Sequence, residues 1–504
     1  MITQLSEKLG SGWWLFLAIP ILSISYLLAP LTGDVIVSIG ASVQADYLEG
    51  NWFQKIYNSW NLRGIGYKFV IFFLYKIAQF FQYPWQDNSQ FQFVFKFIYM
   101  LFMGTILFCS YKILKPVYNA DSILKKYSLA TLLVILCGAY NVIGEPEEIA
   151  FVLSCLMISF GLSHNKWLNS LTGLFLVILF SLKAVTIVFA SAPTLIFILL
   201  LGKQKLKTIA ISYAGFTLLG VGVYFQFLGK ELNDLYEATK YQTSFTLTKD
   251  VYYNAKGTLQ NLIAYQPMVL FSLILVPFIK YSKIDKKEVA AVVLVFITML
   301  LVMTLQGRFF NYHFIVLYPI AVWTWYQIVM KNNHYFKKLS FKWLLVFPIG
   351  CYFFFSWVYN DKLPANGPTS NNQLYIKQNF EVRDSIYSAV SSTISDPTSN
   401  VLYLTDGAAN YFLPNPSHLR HFYPLPLQRI VINNQLPQLK AHQNDLNSIL
   451  TYQGDFVLVN HAWFKLSFYP NFIEKLETEY ELVLEHNRRK FTAEPVQLYK
   501  RKNI

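Results

Sequence analysis

The chain has 504 residues, of which 54% are hydrophobic, 17% aromatic and only 14% charged, with a net charge of +14 and a mean hydropathy of +0.35. A soluble protein carries about 25% charge, and several runs here reach the roughly 20 apolar residues that cross a bilayer. The composition argues against a soluble globular chain, and for a polytopic membrane protein up to about residue 360.

The first apolar run, Trp13 to Leu31, is too long for the core of a signal peptide. Its leading segment has no net charge and no small-residue cleavage site follows, so it reads as a retained helix. Next comes GDVIVSIGASVQADYLEG, Gly33 to Gly50. Asp34 is placed to cap a helix. Val35, Ile36, Ile39, Val43 and Tyr47 recur at helical spacing and give that helix one apolar face. Asp46 and Glu49 fall at its solvated end. The stretch Tyr67 to Tyr83 is apolar but carries Lys68 and Lys76. It reads as an amphipathic or re-entrant helix at the membrane interface and not as a span.

The spans predicted beyond the first are 91–111, 128–143, 148–163, 168–182, 185–202, 208–228, 267–281, 289–305, 312–329 and 341–359. With 13–31 they make eleven. Alternate connections between them hold seventeen lysines against four acids, which is thirteen of the fourteen net positive charges. Cations stay on the cytoplasmic side. The basic balance is thus a topology label, and no nucleic acid is needed to explain it. The N-terminus is expected inside and the C-terminus outside. A spanning helix at 67–83 would turn every later lysine-rich loop outward, which is why it is read as interfacial.

After the linker NDKLPANGPTSNN at 360–372 the pattern changes. Short apolar strands appear at 401–406, 455–462, 480–487 and 496–501, with helical stretches near 381–395, 438–451 and 464–479. The expected organisation is a transmembrane domain over 1–360 and an extracytoplasmic α/β domain over 361–504. Cys109, Cys137, Cys155 and Cys351 all lie in apolar runs, which suits small core residues better than disulfides.

The polar residues that fall on the outer face are few. Gly144 to Glu148 (GEPEE) crowds Glu145, Glu147 and Glu148 into one turn between two spans. Such crowding raises carboxylate pKa values unless cations or a metal are near. Capping at a helix N-terminus explains one or two of the acids more easily than three. Lys183 breaks a pair of apolar runs, where an ionisable residue is either functional, paired or snorkelling. Arg308, followed by Tyr312 and His313, is the single charge of its loop; arginine suits a phosphate through bidentate geometry, and pairing with one of the acids is the alternative. No nucleotide-binding or metal-ligand motif occurs. His418 and His421 form an isolated H-x-x-H.

These residues, in this order, resemble the GT-C superfamily of integral-membrane glycosyltransferases, which take a sugar from a polyprenyl-phosphate donor. The resemblance covers most of the chain: an acid after the first helix (Gly33-Asp34), an outer helix closing in Gly50-Asn51-Trp52, and the aromatic juxtamembrane stretch 67–83. A second acidic motif (Glu145 to Glu148), Lys183, the stretch Gln306, Arg308, Phe309, Tyr312, His313, and a final outer α/β domain complete it. The family's second motif is often aspartate, where this chain has glutamates. The resemblance implies a GT-C-like fold of about eleven transmembrane helices with outer juxtamembrane helices. It also implies transfer of a hexose or pentose with inversion to a glycan, lipid or protein acceptor at the inner (plasma) membrane of a bacterium. Asp34 would be the general base. Glu145 and Glu147 would orient the acceptor, tune Asp34 or hold a divalent cation, which the sequence does not require. Arg63, Lys183, Arg308, Tyr312, His313 and Glu148 would bind substrate or phosphate. A lipid or glycan transporter is the main rival; transporters place their charges near the midplane and often carry inverted repeats, whereas the charges here gather at one face.

Overall fold

A computed structural model of the chain describes residues 27, 31, 33–59, 64–114, 144–182, 194, 196, 201–228, 286–306, 324, 373–405, 407–418, 447–461, 464–486 and 495–502. The predicted spans 13–31, 128–143, 185–202, 267–281, 312–329 and 341–359 lie wholly or mostly outside the described residues.

Helix α1 (Gly33–Tyr47) buries Val35, Ile36, Ile39 and Val43, while Tyr47 is 44% exposed. The chain turns at Gly50, whose φ of +104° favours glycine. Asn51 then starts helix α2 (Trp52–Asn58) with a capping box: its side chain accepts from the Gln54 N–H at 2.9 Å, and Gln54 accepts in return from the Asn51 N–H at 3.1 Å. Helix α3 (Ile65–Gln79) buries Tyr67, Lys68, Ile71, Leu74, Tyr75 and Ala78 on one face. Its 15 residues span about 22 Å at 1.5 Å per residue, less than the roughly 30 Å of a bilayer's hydrocarbon core. Helix α4 (Asn88–Leu114) buries Phe91, Phe95 and Tyr99 and exposes Phe93, Phe97 and Leu101 one turn apart on another face.

Helices α5 (Pro146–Leu162) and α6 (Lys166–Leu182) form an antiparallel pair. Asn169 closes their connection by donating to the carbonyls of Phe160, Gly161 and Ser163 at 2.9–3.2 Å. Helix α7 (Lys203–Leu228) packs on α6 where the residues are small: Ser212 donates to the Ser170 carbonyl, and Gly173 faces the α7 backbone. Close approach through small residues is a habit of membrane helices. The C-terminal ends of α6 and α7 both reach the α2–α3 segment, through a bond from Gly64 N–H to Leu182 O at 2.9 Å and an oxygen–oxygen contact of Tyr57 with Tyr224 at 3.2 Å. Helix α8 (Lys286–Gln306) exposes Val293, Ile297 and Leu301. Among the described residues one helix, Lys203–Phe227, is long and apolar enough to cross a membrane.

Helix α9 (Gln373–Ile394) leads into a four-stranded sheet of order β1-β2-β4-β3, formed by β1 (Val401–Leu404), β2 (Phe456–Asn460), β3 (Tyr480–His486) and β4 (Val496–Arg501). β1 runs parallel to β2; β4 is antiparallel to both β2 and β3. Alternation sorts the two faces. Leu402, Leu404, Val457 and Val459 pack with helix α11 (Pro470–Glu479) through Phe472 and Leu476. Val401, Tyr403, Phe456 and Leu458 on the other face belong to the same core as α1, α3, α4 and α5. The link is the short helix α10 (Ala409–Phe412), against which α1 lies: a Cβ on Gly40 would sit 3.2 Å from the Tyr411 backbone nitrogen. Gln44 extends the junction, donating to Asn415 O at 3.2 Å and accepting from Ser417 N–H at 2.7 Å.

Candidate active site

The acidic turn is held by three helices. Gly144 has φ +81°, and a Cβ there would sit 3.3 Å from Val35 of α1. Tyr67 of α3 donates its hydroxyl to the Gly144 carbonyl at 2.7 Å. Tyr99 of α4 donates to Glu148 Oε2 at 2.7 Å, and the Gly144 N–H donates to the same oxygen at 3.0 Å. Glu145 is the N-cap of α5 but makes no capping bond with its side chain; Pro146 follows at N1. The three carboxylates are 0%, 0% and 5% exposed at Glu145, Glu147 and Glu148. Reaching back to Gly144, Glu148 acts partly as a cap. Capping does not account for the other two. Burying three carboxylates together demands compensating interactions.

Asp34 lies in the first turn of α1, one residue before the Val35 that touches Gly144. Its side chain lies outside the described residues, but the backbone brings its turn against the acidic one. The two cations are approached in the same way. Arg63 and Lys183 lie outside the described residues, yet their chain neighbours Gly64 and Leu182 are joined by the 2.9 Å backbone bond. Gly64 and Gly66 make this contact close; a Cβ on either would overlap Ser181. The predicted Arg308, Tyr312, His313 and His421 lie outside the described residues. His418 packs edge-on against Tyr452, with ring centroids 4.7 Å apart.

Asp46 does more than end a helix in solvent. It pairs with Lys76 of α3 and accepts from Tyr75 Oη and Gln79 Nε2, each at 3.3 Å. Burial first, and Asp46 beside it second, push the Tyr75 hydroxyl well above its usual range, so it remains a donor. Lys76 also lies over the rings of Phe72 and Tyr75. The lysine that argues against a span at 67–83 thus ties α3 to α1. Among the described residues no three His, Cys, Asp or Glu side chains are grouped as metal ligands.

The groups that hold the acids do not stand out in the sequence. Tyr67 and Tyr99 sit inside aromatic runs, and only the need of a buried tyrosine for a hydroxyl partner singles them out. Asn410 of α10 is missed too. It is fully buried beside Gly40, and neither atom of its amide has a hydrogen-bond partner among the described residues. Comparisons of the chain with protein-family models, curated proteins and solved structures return no match.

Proposed function

We propose that this protein is a membrane glycosyltransferase that moves a sugar from a polyprenyl-phosphate donor to an acceptor hydroxyl on the outer side of the membrane. The observation that carries the reading is the turn of three buried glutamates packed against the first turn of α1, where Asp34 stands. Carboxylates are kept out of water where proton handling or substrate orientation needs them. The residues next to Arg63 and Lys183 meet one turn before the Tyr67 that bonds the acidic turn, which suits a leaving phosphate.

In this reading the acceptor O–H approaches the anomeric carbon on the face opposite the lipid phosphate. Asp34 takes the hydroxyl proton as the new C–O bond forms. The bond from the anomeric carbon to the phosphate oxygen breaks, and its electrons leave with the lipid phosphate. Lys183, Arg308 and Arg63 stabilise that charge. A single displacement inverts the anomeric centre. Glu145 and Glu147 orient the acceptor, and Glu148, fixed by Tyr99, sets their position.

Asp34→Asn tests the proposal, since it keeps the size and a hydrogen-bonding oxygen while removing the base. A positioned base contributes about 10²–10⁴-fold, so transfer from lipid-linked sugar in membranes is expected to fall by at least a hundredfold at unchanged expression. Full transfer by the variant would overturn the mechanism.

A further inference from the structure

A cleft of about 450 Å³ opens between α9, the turn before α4 and α10. It lies within the roughly 300–1,000 Å³ range of small-ligand sites. Trp85 and Phe412 supply its apolar walls, and Asp384 with Ser388, Ser391 and Ser392 of α9 and Ser395 just beyond it supplies the polar one. Neither ring is loose: Trp85 lies against Tyr83 with centroids 4.7 Å apart, and Phe412 stacks on Tyr387 at 5.1 Å. Asp384 is held by Asn88 Nδ2 at 3.1 Å through Oδ1, which leaves Oδ2 without a partner among the described residues. Ser388 and Ser391 lie one turn apart on α9 and Ser395 follows its end, and their hydroxyls have no partner among the described residues either. Ser395 closes the helix at φ +56°, a conformation a serine rarely takes.

We infer that this cleft binds a neutral sugar unit, the distal part of the acceptor glycan. No cation among the described residues lines it, so a phosphate or an acidic sugar would meet a carboxylate with no positive charge beside it. A hydroxyl gives one donor and two acceptor positions, and a carboxylate accepts only. This set matches a ligand rich in hydroxyl groups. The electron-rich ring faces match the C–H face of a pyranose. Placement gives a size. Asn88, which holds Asp384, and Tyr99, which holds Glu148, are eleven residues apart on α4, or about 16 Å along the helix. An acceptor that reaches both cleft and acidic turn is therefore an oligosaccharide. The role as acceptor rests on the glycosyltransferase reading; the binding of sugar does not.

The test uses the full chain in detergent and saturation-transfer NMR with neutral di- and tetrasaccharides of glucose, galactose, mannose and N-acetylglucosamine, and with aminated and acidic disaccharides for comparison. At least one is expected to bind, with affinity reduced tenfold or more by Ser388→Trp, which fills the cleft from an exposed helix position. Trp85→Ala is expected to weaken binding likewise. Ser385→Trp, exposed on the same helix outside the cleft, is expected to leave it unchanged. Absence of binding by the wild-type chain would overturn the inference, as would binding that survives Ser388→Trp, or binding to aminated or acidic glycans alone. Asp34→Asn separates the two proposals: it is expected to abolish transfer and keep binding. Transfer that survives filling of the cleft sinks this inference alone, and binding by the wild-type chain without any transfer sinks the reaction alone.

Discussion

Tyr99 places one phenol hydroxyl, 2.7 Å away, on the carboxylate of Glu148. Both groups are buried. Taking the donor away from a buried acceptor costs about 1–3 kcal/mol, and the loss of this bond does that to Glu148. Tyr99→Phe is therefore expected to destabilise the protein by about that amount, read as a lower unfolding temperature in detergent. Transfer should fall as well, because Glu148 sets the turn that carries Glu145 and Glu147. A variant with unchanged melting and unchanged transfer would show that the turn stands without this bond. At this scale the sequence is informative about which residues are acids and poor on what satisfies them. Three glutamates in four positions stand out in an apolar chain. Tyr67 and Tyr99 do not, because 34 tyrosines and 43 phenylalanines surround them in the composition.

Helix α3 begins in close contact with the end of α6. Gly64 donates to Leu182 O, and a Cβ at Gly64 would overlap Ser181 O and sit 2.7 Å from the Leu182 carbonyl. Backbone cannot swing aside as a side-chain tip does. Gly64→Ala is expected to part the two helix ends, with an overpacking cost of about 1–3 kcal/mol. Because Arg63 and Lys183 adjoin this contact, transfer should drop at least tenfold. Gly104→Ala, on α4 with nothing within 4 Å of its Cβ, is the control. It is expected to gain about 0.5–1 kcal/mol from helix propensity and keep activity. Equal melting of the two variants would refute the role given to the contact. Existence and type of these elements are largely legible. Helix α3 follows from its apolar spacing, and the four strands fall within the runs 401–406, 455–462, 480–487 and 496–501. Their order does not follow. β4 inserts between β2 and β3, and Gln44 bonds residues some 370 positions away. Such non-local pairings depend on surfaces that form only when distant segments meet.

Across the whole molecule, apolar surface and charge divide along different directions. The sides of α4, α7 and α8 expose large apolar residues, with Leu218 of α7 at 72% and Leu301 of α8 at 58%. Water would penalise such stripes, and a hydrocarbon solvent would not. The ends differ in charge. Lys166, Lys203, Lys205 and Lys207 stand at the N-terminal ends of α6 and α7, whereas the C-terminal ends of both helices meet α2 and α3. The acidic turn is bonded to α3, and α10 with the loop after it, which follow β1, is joined to α1 and to the start of α4. If the lysine-rich end faces the cytoplasm, the acidic turn and the α/β domain must share the other side. Single cysteines in a background lacking Cys109, Cys137, Cys155 and Cys351 test that division. Gln86→Cys, before α4, and Glu474→Cys, on α11, are exposed positions on the expected outer side. Both should react with a membrane-impermeant maleimide in intact spheroplasts. Gln204→Cys, at the start of α7, should react only after lysis. Labelling of Gln204→Cys from outside, or protection of Glu474→Cys, would reverse the topology. An outer donor made on a lipid would then be unnecessary, because a cytoplasmic site has nucleotide sugars at hand.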